Sequence, residues 1–239
     1  RRWTLSPHAP LFVASGPSAS TTGRPGQATP LNMMAAMGRL HVALASVVDD
    51  PRHRERARRL ANYYLGWVRT TSAGGYGWNY YPGAYAPPGD DISHAAINVG
   101  LSIRAAREGI VFGESHLERL GNTAFDQVYV DTRTVYDRVG GSGSQNSSSF
   151  RAQFGRWLVL DEVDSRLHAA ARATLSPYST TSSGSLLLCF ALLAATDRVQ
   201  VPFRFYVVDW SDLGDRRRAT AYGANILIEP PDPSQRYLV

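Results

Sequence analysis

The feature that most constrains this chain is a series of segments with apolar residues at helical spacing and no strand-like run between them. Over residues 31–48, Met33, Met34, Met37, Leu40, Ala43, Leu44 and Val47 keep to the i, i+3, i+4 pattern of one helix face. Asp49-Asp50-Pro51 closes that helix and opens a second, with Asp as N-cap and Pro in the first turn. The second helix covers 52–70, with Ala57, Leu60, Ala61, Tyr64, Leu65 and Val68 inward. Its other face carries Arg52, Arg54, Glu55, Arg58 and Arg59 and reads as a solvated surface.

The rest of the chain continues in the same style. A glycine-aromatic loop over 74–89 leads to Asp90-Asp91, which caps a third helix reaching Glu108 and closed by Gly109. A fourth helix is expected over 115–129, a Gly/Ser loop over 140–149, and further helices over 150–160, 163–174 and 184–196. Residues 1–30, rich in Pro, Ser, Thr and Gly, read as an irregular arm. The segments 201–208 and 224–229 are β-type runs, so 199–239 reads as a short β-rich appendage. Helical hairpins repeated in series over 31–198 suggest a complete or partial α/α toroid.

Composition excludes several classes. With 239 residues, 44% of them hydrophobic and 10% aromatic, the chain can fill a core and is neither disordered nor collagenous. The longest apolar run, 186–195, is about half of what a membrane-spanning helix needs. Arg1-Arg2-Trp3 is followed by no apolar stretch of the signal-peptide kind. All 25 basic residues are arginine, and the net charge of +5 points weakly to an acidic partner. No nucleic-acid fold signature accompanies that charge. The six histidines show no zinc spacing, Gly140-Gly141-Ser142-Gly143-Ser144 lacks the lysine of a phosphate loop, and neither a metal nor a cofactor is expected. Cys189, inside Leu-Leu-Leu-Cys-Phe-Ala-Leu-Leu, reads as a core residue. Ser182-Ser183-Gly184-Ser185 is a polar helix entry, and Arg216-Arg217-Arg218 a surface turn.

Chemistry concentrates between Tyr76 and Gly100. Trp78 and the tyrosines 76, 80, 81 and 85 fall within ten residues. Such rings stack on sugar faces, and their hydroxyls add polar handles. The other reading is a plug whose rings are buried in the core. His94 and Asn98 stand four apart on the helix capped by Asp90-Asp91, so they share a face. A histidine or tyrosine that takes a proton, beside an amide and an arginine such as Arg151 that neutralise a carboxylate, suits abstraction next to an acid group.

The blocks Tyr76-Gly77-Trp78-Asn79-Tyr80, Asp90-Asp91-Ile92-Ser93-His94-Ala95, Gly109-Ile110-Val111-Phe112 and Leu117-Glu118-Arg119-Leu120-Gly121-Asn122-Thr123 resemble α/α-toroid carbohydrate-active proteins. Among these are uronic-acid polysaccharide lyases and glucuronyl C5-epimerase-like proteins. The resemblance covers about residues 30–175 and includes the hairpin at Asp49-Asp50-Pro51. It implies proton abstraction at C5 of a uronate, with His94 and one of Tyr80 or Tyr81 as the proton-transfer pair. Asn79 or Asn98 would contact the carboxylate, and Trp78 and Tyr85 would line the sugar site. In the alginate-lyase pattern the Asn and His are adjacent, whereas here they stand four apart.

The expected function is therefore a lyase or epimerase on an acidic polysaccharide, periplasmic or secreted, with no nucleic-acid partner and no membrane span. One alternative is a non-catalytic toroid module that binds a glycan or a protein. Another is an inverting glycoside hydrolase, with Asp90 or Asp91 paired to Glu162 across about 6.5–9.5 Å.

Overall fold

The computed structural model describes residues 29–132, 134–143, 148–178 and 184–196, together with the backbone of 3–5 and 12–14; for 148–150 and 184–185 only the backbone is described. The β-type runs at 201–208 and 224–229, Ser182-Ser183 and Arg216-Arg217-Arg218 lie outside the described residues.

The fold is mostly helical. Helix α1 (Leu31–Val47) and helix α2 (Pro51–Trp67) form a hairpin at the expected place. Asp50 caps α2 by accepting from the Arg52 amide at 2.9 Å, with Pro51 in the first turn. Two short strands, β3 (Arg69–Thr70) and β4 (Tyr76–Gly77), pair antiparallel and turn the chain into the aromatic loop. Within the N-terminal arm, β1 (Trp3–Leu5) and β2 (Phe12–Ala14) form a second small antiparallel ribbon. No parallel sheet occurs among the described residues.

Helix α3 (Ile92–Arg107) is the central element: it packs on α1 and α2 on one side and on residues 154–160 on the other. Its composition explains this. Ile92, Ala95, Val99, Leu101, Ile103 and Ala105 are all buried, and Gly38 of α1 and Gly100 of α3 let the helices approach closely. Gly109, at φ +63°, ends the helix in the left-handed conformation glycine tolerates best. Helix α4 (Glu114–Asn122) runs on into a π-helical turn at Thr123–Val128. Helix α5 (Ser148–Gln153) tightens into a 3₁₀ segment, Phe154–Leu160. Helices α6 (Arg166–Leu175) and α7 (Gly184–Thr196) follow. No described helix is long and apolar enough to cross a membrane.

The main core centres on two tryptophans. Trp78 from the aromatic loop stacks on Trp157 at 6.5 Å and takes Tyr64 edge-on at 5.7 Å. The Trp157 indole donates to the Ile92 carbonyl at 3.0 Å, fixing the 3₁₀ segment to the first turn of α3. A smaller cluster joins α5, α6 and α7 through Leu158, Leu175, Leu186, Cys189 and Leu193.

Candidate functional site

The site is built where the aromatic loop meets the N-terminus of α3. Two backbone bonds pin that junction: the Ile92 amide donates to the Asp137 carbonyl, and the Val139 amide to the Asp90 carbonyl, both at 3.0 Å. The loop is tied at its other end, because the Tyr80 carbonyl accepts from the Leu31 amide at 2.9 Å and so helps satisfy the start of α1.

Asp91 does two things. Its Oδ1 caps α3, accepting from the Ser93 amide at 3.0 Å, the His94 amide at 3.1 Å and the Ser93 hydroxyl at 2.7 Å. Its Oδ2 faces His94 Nδ1 in a short hydrogen bond. Desolvation works against ionising Asp91, yet the bonds from Ser93 and His94 outweigh it and hold the carboxyl below its ordinary range. An ionised Asp91 only accepts, so the proton in this bond is assigned to His94 Nδ1, and Nε2 is the ring nitrogen not engaged by Asp91. The His94 side chain is 43% exposed.

Tyr80 lies against this pair, its ring 4.9 Å from that of His94, and Tyr81 packs edge-on to Tyr80 at 4.8 Å. Tyr81 is exposed and Tyr80 half-buried. Burial, then the neighbouring Tyr81, Asp90 and Asp91, push the Tyr80 hydroxyl above its usual value, so it keeps its proton at neutral pH. The structure thus brings together His94, Tyr80 and Tyr81.

Other expected site residues are placed elsewhere. Trp78 is fully buried in the core and cannot be part of a sugar platform. The two readings of the aromatic loop divide between its residues: Trp78 is the plug, while Tyr80 and Tyr81 stay at the surface. Asn98 is also fully buried, with no partner for either amide atom among the described residues, and does not reach a ligand at the surface. It does share a face with His94, but α3 is central and that face enters the core after one turn. Asn79 is spent on its own loop, donating to the Ala84 carbonyl at 2.6 Å and accepting from the Ala86 amide at 3.2 Å. Tyr85 is half-buried over Gly77, Gly89 and Gly140, where a Cβ at Gly77 would come 2.4 Å from its ring. Arg151 sits over the Tyr178 ring at 5.6 Å. Glu162 pairs with Arg107 at 3.0 Å, at the far end of α3. That end is roughly 24 Å from Asp91 at 1.5 Å per residue, so the carboxylate pair of an inverting hydrolase does not form. Glu162 instead lines a hollow of about 480 Å³ with Phe112, Glu114 and Leu117.

No family model, curated protein or solved structure matches this chain.

Asp90, read from the sequence as a helix cap and as one carboxylate of the hydrolase alternative, has a further property. It is fully buried; its Oδ1 accepts from the Asp91 amide at 2.9 Å, and the Trp78 indole beside it favours its charged form too weakly to offset burial. Burial first, and the charge of Asp91 second, raise it to about 7. Together Asp90, Asp91 and His94 offer three ligand atoms within 4.8 Å of one another, a set that fits a divalent cation only if the Asp91–His94 bond is given up. The only signal in the sequence was the doubled aspartate ahead of a helix.

Proposed function

We propose that this chain is a carbohydrate-active enzyme of the α/α-toroid class that moves a proton at C5 of a uronic-acid sugar. The observation that carries the reading is the Asp91–His94 pair at a helix N-terminus with Tyr80 against the imidazole. Asp91 orients the ring and stabilises the imidazolium that forms, and His94 Nε2 takes the C5 proton. The electron pair left at C5 forms the C4=C5 double bond as the C4–O bond breaks. The leaving oxygen collects the proton that Tyr80 holds, which its raised value keeps in place until then. In epimerisation the carbanion is instead reprotonated from the opposite face, and no bond to oxygen breaks.

The test is incubation with a panel of polyuronates in deuterated water. Elimination produces an ultraviolet-absorbing unsaturated end, and epimerisation places deuterium at C5. Both signals should vanish in His94→Ala while its melting temperature stays near that of the unmodified protein. Chelation with EDTA should leave the rate unchanged, since the imidazole itself is the base. Binding of a polyuronate with neither signal would make the chain a glycan-binding module instead.

A further inference from the structure

Three arginines from three packed elements come together, none of them in an ion pair among the described residues. Arg39 of α1 lays its guanidinium over Gly100 of α3; a Cβ built at Gly100 would stand 3.3 Å from Arg39 Nη1. Arg104 follows Gly100 by four residues, on the same face of α3. Arg156 lies on the 3₁₀ segment that packs on α3 and is near enough to feel the charges of both Arg39 and Asp91. Arg39 and Arg156 are half-buried, and Arg104 is exposed. Among the described residues, the arginine ion pairs engage Arg52, Arg58, Arg107, Arg138 and Arg166, and none of these three. Arg156 has a hydrogen bond to Gln153 Oε1, a long one at 3.4 Å.

The contrast within the molecule is sharp. Carboxylate partners raise Arg52, Arg58 and Arg166 above the ordinary arginine value. Arg39 is lowered, by burial and then by Arg104 and Arg156, and Arg156 is lowered by burial. Half-buried like charges without an ion-pair partner work against the folded state, and Asp91 offsets this only in part at Arg156. The guanidinium fork matches a bound oxyanion bidentately, which relieves the repulsion.

We propose that Arg39, Arg104 and Arg156 form a pocket along α3 that binds an oxyanion group, carboxylate, sulfate or phosphate, beside Asp91. Gly100 borders the site, since a Cβ there would press on the Arg39 guanidinium and shift it by a few tenths of an ångström. The pocket stands whether or not His94 transfers a proton. If both hold, the anionic group of an acidic glycan is anchored next to the base.

The experiment measures the melting temperature of the full chain in sodium sulfate, in sodium phosphate and in an oligogalacturonate, each balanced with sodium chloride to one ionic strength. At least one oxyanion should raise the melting temperature above chloride, as a ligand of the folded state must. Calorimetric affinity for that oxyanion should fall about tenfold or more in Arg104→Gln, since each lost charge-assisted hydrogen bond is worth roughly that factor. Arg39→Gln should do the same, and Arg58→Gln should not. Arg104 is exposed, so its replacement does not threaten the fold, and that variant decides if Arg39→Gln unfolds. The oxyanion whose calorimetric affinity is highest and falls in Arg104→Gln identifies the source, since sulfate and phosphate also raise melting temperatures by exclusion from the surface. A protein indifferent to all three anions relative to chloride, or an Arg104→Gln variant with unaltered affinity, would overturn the proposal.

Discussion

Asp90 is enclosed by the core and its neighbour Asp91 is ionised, so burial and that charge outweigh the hydrogen bonds that favour its own charged form. Its carboxyl titrates near 7 in the folded chain against an ordinary value of 3.8. The folded state therefore holds a proton that the unfolded state has released between those values. Stability from this group falls as pH rises from about 4 to about 7, by up to about 4 kcal/mol, and is level above that. Asp90→Asn keeps the shape and removes the titration. The variant should show a flatter stability profile between pH 4 and 7 and exceed the unmodified protein at pH 8, as read by urea unfolding; parallel profiles would refute the shifted titration. Asp91 behaves the other way, since its helix-capping and His94 bonds need the charged form. Asp91→Asn should retain part of the cap and lose the imidazolium support, so turnover should drop by 10²-fold or more while stability falls by about 1 kcal/mol.

At the scale of elements, the ends of helices are where the sequence was most readable. Asp50, Asp91 and Gly109 act locally, through their own side chain or backbone, and each stop or start falls within about two residues of its expected place. The fourth helix departs because the cause lies far away in the chain. The Thr123 hydroxyl accepts from the Tyr76 amide at 2.7 Å and lies 3.0 Å from the Tyr76 carbonyl and 2.9 Å from that of Arg119. Locking this residue to β4 accompanies the widening of the helix into a π-turn, a contact between positions 47 apart that no local periodicity carries. The same limit applies to the site. His94 and its tyrosines were legible because they cluster in sequence, whereas Arg39, Arg104 and Arg156 converge only through packing. Thr123→Val should cost about 1–3 kcal/mol by stranding the part-buried Tyr76 amide, and chemical denaturation measures it. Thr123→Ser, which keeps the oxygen, should recover most of that loss.

The whole molecule holds two cores of unequal size, and that inequality sets the order in which it opens. Trp78, Trp157 and α3 belong to the larger cluster, whereas α7 is held by the smaller one through Leu186, Cys189 and Leu193. Segments with fewer buried apolar contacts open at lower free energy than the centre of the fold. Gly155 is the joint: a Cβ there would stand 2.8 Å from Cys189 Cβ and 2.9 Å from Leu175 Cδ1, so the 3₁₀ segment and α7 meet with no space to spare. Cys189 is the single cysteine of the chain and is fully buried, and burial pushes its thiol up to about 12. It reacts with a thiol reagent only when α7 lifts away, which makes its labelling rate a direct measure of that opening. In dilute urea, Cys189 should label through an opening less costly than the one that exposes the amides of α3 to hydrogen exchange. Gly155→Ala should speed the labelling further and leave α3 protection nearly unchanged, because the added methyl meets α6 and α7 rather than the tryptophan core. If labelling and α3 exchange instead share one free energy in both proteins, the two clusters unfold as a single unit.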